Sequence, residues 1–183
     1  FPIWSMFYCE EQANAIVEQL ATGKPYPIKA MIGLGANVMI WPNTKRVAEA
    51  IDKLDLFVAV DYFETVTTDL AEIILPAATG LERGHLSVDP GGMAKLRDPV
   101  VEPLGEAWSD WKILMELGAR LGLTDQFWHG DLEACMNHIL EPAGITTAQL
   151  REHPHGLRLV EDREARSYEQ HGFNTPSGKV EIS

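Results

Sequence analysis

Cysteine and positive charge are both scarce in this chain of 183 residues. The two cysteines, Cys9 and Cys135, cannot build a disulfide framework. Nor can they hold an iron–sulfur cluster alone, since such clusters draw on a larger set of thiolates. Lys and Arg number 15 against 27 Asp and Glu, so the net charge is −12. No global basic field exists to attract nucleic acid or an anionic membrane, and nucleic acid is not expected as a partner. Long apolar runs are missing too. The longest uncharged stretch, Ala30 to Thr44, is broken by Gly33, Gly35, Asn37, Pro42 and Asn43 and is too short to span a bilayer. No basic stretch followed by an apolar run marks a signal peptide. The chain opens on Phe1-Pro-Ile-Trp and stops at Ser183, inside the strand-like Lys179-Val-Glu-Ile182. Both ends are expected to be cut from something longer.

What is present is globular. The chain is 45% hydrophobic and 23% charged, which excludes disorder and fibrous repeats as whole-chain descriptions. In the first half, apolar spacing predicts a helix over Glu10–Ala21, stopped by Gly23 and Pro25. A buried strand follows at Ile28–Leu34. A second helix spans residues 44–54 behind a capping Asn43 or Thr44. A second strand, Leu56–Val60, ends at Asp61; after a helical turn near Thr67–Ala71, a third strand, Ile73–Leu75, ends at Pro76. Near-continuous apolar strands separated by helical segments predict parallel β-α-β-α-β winding, with ligands beyond the carboxyl ends of the strands.

The second half is less regular. Short strands are expected at Leu86–Val88 and Met93–Leu96 around Asp89-Pro-Gly-Gly92. Ser109 should cap a helix with Trp111, Leu114, Met115 and Leu121 inward. Asp131 should cap another, and Thr146-Thr-Ala-Gln149 fits a capping box. Residues 151–172 read as irregular. The fold class is thus α/β: a Rossmann-like parallel sheet flanked by helices, with an irregular helical C-terminal half. We expect one domain, with an α/β core over residues 28–122 and an extension over 123–183.

The strand ends carry the candidate chemistry. Gly33-x-Gly35 follows a strand, but Val38 stands where a dinucleotide fingerprint needs its third glycine. The pair is then either a tight turn or a loop where a flat or phosphate-bearing ligand meets backbone, with Asn37 able to donate and accept. Asp61 is either a solvated turn residue or a ligand acid. Such an acid can bind sugar hydroxyls. It can also accept two hydrogen bonds from a guanine edge, whose N1–H and exocyclic amine point the same way. Thr65, four residues on, can supply a second contact. His153-Pro-His155, His129 and His138 do not form a zinc-ligand pattern, so no metal site is expected. Neither a nucleophile elbow, a Walker A loop nor a zinc-protease motif is present, and no catalytic residue is assigned.

Several segments, in order, resemble the molybdopterin oxidoreductases of the dimethyl sulfoxide reductase family. They are Gly35-Ala-Asn37, Asp61-Tyr-Phe-Glu-Thr-Val-Thr67, Ala71-Glu-Ile-Ile-Leu-Pro76, Glu82-Arg-Gly84, Pro103-Leu-Gly-Glu-Ala107 with Asp110-Trp111, and Thr175-Pro-Ser-Gly-Lys179. The likeness runs from about Lys29 to Gly122 and returns at Asn174–Ile182. Leu81-Glu-Arg83 is similar to thiosulfate or polysulfide reductase-like members. Departures from the family pattern are Val38 for a Pro, Glu72 for an Asp, Trp108 for an Arg, and His85-Leu-Ser-Val-Asp-Pro90 for a Thr-x-x-Asn run.

The resemblance implies an internal region of the large catalytic subunit of a molybdenum or tungsten oxidoreductase. It implies that this region holds the guanine dinucleotide part of one half of a bis(molybdopterin guanine dinucleotide) cofactor. Asp61 becomes the guanine ligand, Thr65 joins it, and Gly35 and Asn37 line the dinucleotide. The metal ligand and an iron–sulfur cluster are expected outside this chain, which alone should be inactive. Partners are the remaining domains of the parent and an electron-transfer subunit, in a prokaryotic cytoplasm or periplasm. The alternatives are a cofactor-less structural domain of a related respiratory-complex subunit and, less favoured by the broken glycine pattern, an NAD-binding domain.

Overall fold

Two sheets, each in its own unit, organise the chain. The computed structural model describes residues 13–89, 92–159 and 166–181. Cys9, the first residues of the helix expected from Glu10, Pro90-Gly91 and Ile182 lie outside that range.

The first unit comprises residues up to Gly84 together with Pro99–Leu132. Helix α1 (Ala13–Thr22) buries Val17 and Leu20, and ends at Gly23, whose φ of +69° favours glycine. Strands β1 (Ala30–Leu34), β2 (Leu56–Asp61) and β3 (Ile73–Pro76) pair in parallel in the order β1-β2-β3. Leu34 lies opposite Val60, and Asp61 opposite Pro76. Helix α2 (Thr44–Ile51) connects β1 to β2; the Asn43 side chain accepts from Arg46 N–H at its start. A single 3₁₀ turn, Thr68–Leu70, lies between β2 and β3.

Side chains alternate across a strand, so the register divides the sheet into two faces. Phe57 and Ala59 pack with Val17, Leu20, Val38, Val47, Ala50 and Ile51 of the helical layer. Burying a side chain such as Phe57 contributes about 1.5–3 kcal/mol. On the other face Val60 packs with Ala77 and Ile113, while Ile32, Leu34 and Ile73 remain 44%, 41% and 46% exposed.

Helix α3 (Asp110–Arg120) starts at Ser109, whose hydroxyl accepts from Lys112 N–H at 3.3 Å. Its buried side is Ile113, Met115 and Gly118, whereas Leu121, expected inward, is exposed at the end of the helix. The Phe127 ring occupies the space above Gly118, where a Cβ would come within 2.5 Å of it.

The second unit comprises His85–Asp98 and the chain from Glu133 onward. Strands β4 (His85–Val88) and β5 (Met93–Arg97) form an antiparallel pair, extended by the two-residue β6 (Leu157–Arg158). Helices α4 (Leu132–Leu140) and α5 (Thr147–Glu152) supply Leu140 and Leu150 to a core around Ala94. The capping box at Thr146 and Gln149 forms in both directions. Arg151 binds Asp98 at 3.0 Å and Glu133 at 2.7 Å, and Glu133 also accepts from the buried Thr147 hydroxyl. The segment expected to be irregular holds β6 and a short α6 (Tyr168–His171), with Tyr168 stacked on Phe173 at 5.3 Å. Among the described residues no helix is long and apolar enough to cross a membrane.

Candidate functional site

The carboxyl ends of β1 and β2 lie side by side, as parallel pairing demands. Gly35, just past β1, donates its N–H to the Val60 carbonyl at 2.9 Å. That bond places the start of the β1 loop beside Asp61. The two glycines of Gly33-x-Gly35 differ in kind. A Cβ on Gly33 would come within 3.1 Å of Ala36 and 3.2 Å of the Phe57 ring, so Gly33 serves packing. Gly35 has φ +57°, and among the described residues nothing lies within 4 Å of a built Cβ. Backbone is accessible there and not at Gly33.

Asn37 is partly engaged by its own loop. Its Oδ1 accepts from Met39 N–H at 3.2 Å and caps the 3₁₀ turn Val38–Ile40, while its amide nitrogen keeps its two donors. Val38, which breaks the glycine fingerprint, is fully buried and anchors this turn.

Asp61 ends β2 half-buried, and its main-chain carbonyl accepts from Ala77 N–H at 3.0 Å. One carboxylate oxygen accepts from Tyr62 N–H at 2.7 Å. An ionised carboxylate offers roughly four acceptor positions, so this bond orients the group without saturating it. Thr65 is exposed and builds its own turn. Its N–H donates to Thr68 Oγ1 at 2.7 Å, and its hydroxyl accepts from Thr68 N–H at 3.3 Å. The hydroxyl proton of Thr65 remains a donor, a weaker offering than a carboxylate.

Three residues around this sheet end escaped the sequence reading as site elements. Arg83 binds Asp110 at 2.7 Å and reaches the Tyr62 hydroxyl at a long 3.4 Å, and its Nε is buried with no hydrogen-bond partner among the described residues. The pair ties the turn after Asp61 to the first residue of α3. Glu82 accepts from Thr79 N–H at 2.7 Å, Thr79 Oγ1 at 2.8 Å and Leu104 N–H at 3.0 Å. The bonds from Thr79 hold its carboxyl below the ordinary carboxylate range. Arg83 and Asp110 are 27 positions apart, and no local spacing links them. Among the described residues no cluster of His, Cys, Asp and Glu suits a metal ion.

A family model described as molybdopterin oxidoreductase matches residues 10–120 of this chain. The chain belongs to the molybdopterin oxidoreductase family. Membership implies a molybdopterin-type cofactor carrying molybdenum or tungsten. Acetylene hydratase from Syntrophotalea acetylenica is 33% identical over 173 residues, 92% of this chain and 23% of the relative. The molybdopterin-containing subunit of thiosulfate reductase from Salmonella typhimurium is 29% identical over 195 residues, 92% of this chain and 26% of the relative. In the solved structure of acetylene hydratase from Pelobacter acetylenicus, 23% of that chain superposes on 92% of this one, with a TM-score of 0.76 and 30% identity. The chain thus spans about a quarter of the length of these family members.

Proposed function

We propose that this chain is the guanine-dinucleotide-binding region of a molybdenum or tungsten oxidoreductase that carries bis(molybdopterin guanine dinucleotide). The observation that carries the reading is Asp61: a half-buried carboxylate at the end of β2, oriented by Tyr62 N–H, beside the open backbone of Gly35. This donor and acceptor set fits a guanine dinucleotide. Asp61 accepts from N1–H and the exocyclic amine of guanine, and adenine lacks that pair of donors. Gly35 lets the flat or phosphate-bearing part of the ligand approach the main chain. Asn37 donates from its free amide nitrogen, and Thr65 from its hydroxyl. Residues 28–122 act as the cofactor-binding core and 123–183 as an extension, with His85–Asp98 inside the first span belonging to the second structural unit.

When bound, the cofactor supplies the metal on its dithiolenes, which exchanges oxygen atoms or electrons. The residues of this chain bind and orient; none of them reacts. The remaining domains of the parent supply the metal ligand and an iron–sulfur cluster, and an electron-transfer subunit supplies or removes electrons. Val38 in place of the third glycine disfavours NAD.

The test is guanine nucleotide content per folded full-length protein in Asp61→Ala and Thr65→Ala. Charge-assisted hydrogen bonds contribute about 1.5–3 kcal/mol each and neutral ones about 0.5–1.5. Asp61→Ala should therefore lose most of the nucleotide while staying folded, and Thr65→Ala should lose little. Equal content in wild type and Asp61→Ala removes the assignment of guanine to Asp61, and a folded wild-type protein without nucleotide makes the cofactor-less structural domain the better reading.

A further inference from the structure

A purine is recognised on its edge and on its face. Asp61 offers acceptors for the edge, and nothing so far covers the face. The turn that leaves Asp61 carries two consecutive aromatic residues, and the structure treats them differently. Tyr62 is tied back: its hydroxyl faces Arg83, itself clamped by Asp110 at 2.7 Å. Phe63 has no polar atom to anchor and stands 74% exposed, among the most open of the large apolar side chains. Hydrogen bonds on both sides set its position. On one side Tyr62 N–H binds Asp61; on the other, Thr65 and Thr68 close a reciprocal turn. A large ring is thus presented at the cofactor end of the sheet, two residues from the carboxylate.

From this geometry we propose that Phe63 is the stacking platform for the guanine ring, an inference that rests on the cofactor reading of Asp61. Stacking needs a flat π face and tolerates exchange among aromatic rings. Packing against another part of the protein needs only apolar volume.

The experiment uses the full-length protein with Phe63→Tyr, Phe63→Trp, Phe63→Leu and Asp61→Asn. Guanine nucleotide per folded molecule is measured by chromatography after acid release. Its rate of loss is followed in mild urea, and folding is monitored by circular dichroism. Base–aromatic stacking is strong enough that its removal shifts binding by roughly fivefold or more. Phe63→Leu should lose nucleotide at least about fivefold faster. Phe63→Tyr and Phe63→Trp should stay near wild type. If Phe63→Leu retains nucleotide like wild type while Asp61→Asn loses it, the stacking role is overturned and the guanine reading stands. If Asp61→Asn also retains it, the guanine reading itself falls. If Tyr, Trp and Leu all lose nucleotide in step with loss of fold, Phe63 is a packing residue and the proposal is overturned. Should Leu fail to fold, equal loss rates for Trp and wild type support stacking, and a Trp variant that folds but releases its nucleotide overturns it.

Discussion

Replacing Gly118 by Ala pits two effects of opposite sign against each other. In the last turn of α3, Ala is still favoured over Gly by up to about 0.5–1 kcal/mol, because Gly loses more backbone freedom on folding. Against that, the new Cβ would lie 2.5, 2.6 and 2.8 Å from three atoms of the Phe127 ring. Carbon atoms at such separations are deep in the repulsive wall. The ring is attached to a loop held by the Phe127 and His129 N–H bonds to the carbonyls of Leu123 and Thr124. It must move with that loop, and overpacking of this kind costs about 1–3 kcal/mol. The net expectation is a loss of up to about 2.5 kcal/mol. In a Phe127→Ala background the obstruction is gone, so Gly118→Ala should become stabilising by about 0.5–1 kcal/mol. Urea unfolding of the four proteins in this cycle gives both numbers. A stabilising Gly118→Ala in the wild-type background, or the same effect in both backgrounds, would refute the steric argument.

Two further expectations are simpler. Glu82 has a lowered folded-state pKa through its bonds from Thr79, so its stabilisation is present above the ordinary Glu range and is lost as pH falls through the lower folded value. The stability gap between wild type and Glu82→Gln, followed by thermal unfolding from about pH 6 to pH 3, should therefore shrink on the acid side; a gap that widens there contradicts it. The isolated chain should fold without oxidoreductase turnover. Reproducible reduction of oxyanions, N-oxides or sulfur compounds by pure, metal-analysed protein with a reduced viologen would disprove that.

Elements with local causes were legible in the sequence. β2 announces itself because Phe57, Val58, Ala59 and Val60 are all buried, as a central parallel strand requires. The caps at Asn43, Ser109 and Thr146 rest on a side chain reaching an N–H three residues on. Asp61 and Gly35 stand out because strand ends place them. What escaped depends on distant partners. Ile113 is inward because it meets Val60 and Ala77 across the sheet, and helical spacing alone favoured Leu121. β6 is two residues long and exists only by pairing with β5. Arg83 gains its meaning from Asp110 and Tyr62, neither of which is near it in sequence.

Beside the contacts of Val60 with Ala77 and Ile113, one face of the parallel sheet leaves an apolar strip partly exposed. Ile32 and Ile73 flank Val58 in adjoining strands, and Leu34 lies beside Val60, so their exposed surfaces belong to one strip. A strip of this kind attracts its own copy, and the net charge of −12 opposes the encounter. In dilute buffer that repulsion extends over roughly 30 Å, and near physiological salt over only about 8 Å. Kosmotropic salts remove the repulsion and strengthen apolar contact at once. Dispersal of this chain is thus governed by the ionic medium, and sulfate should bring it out of solution early.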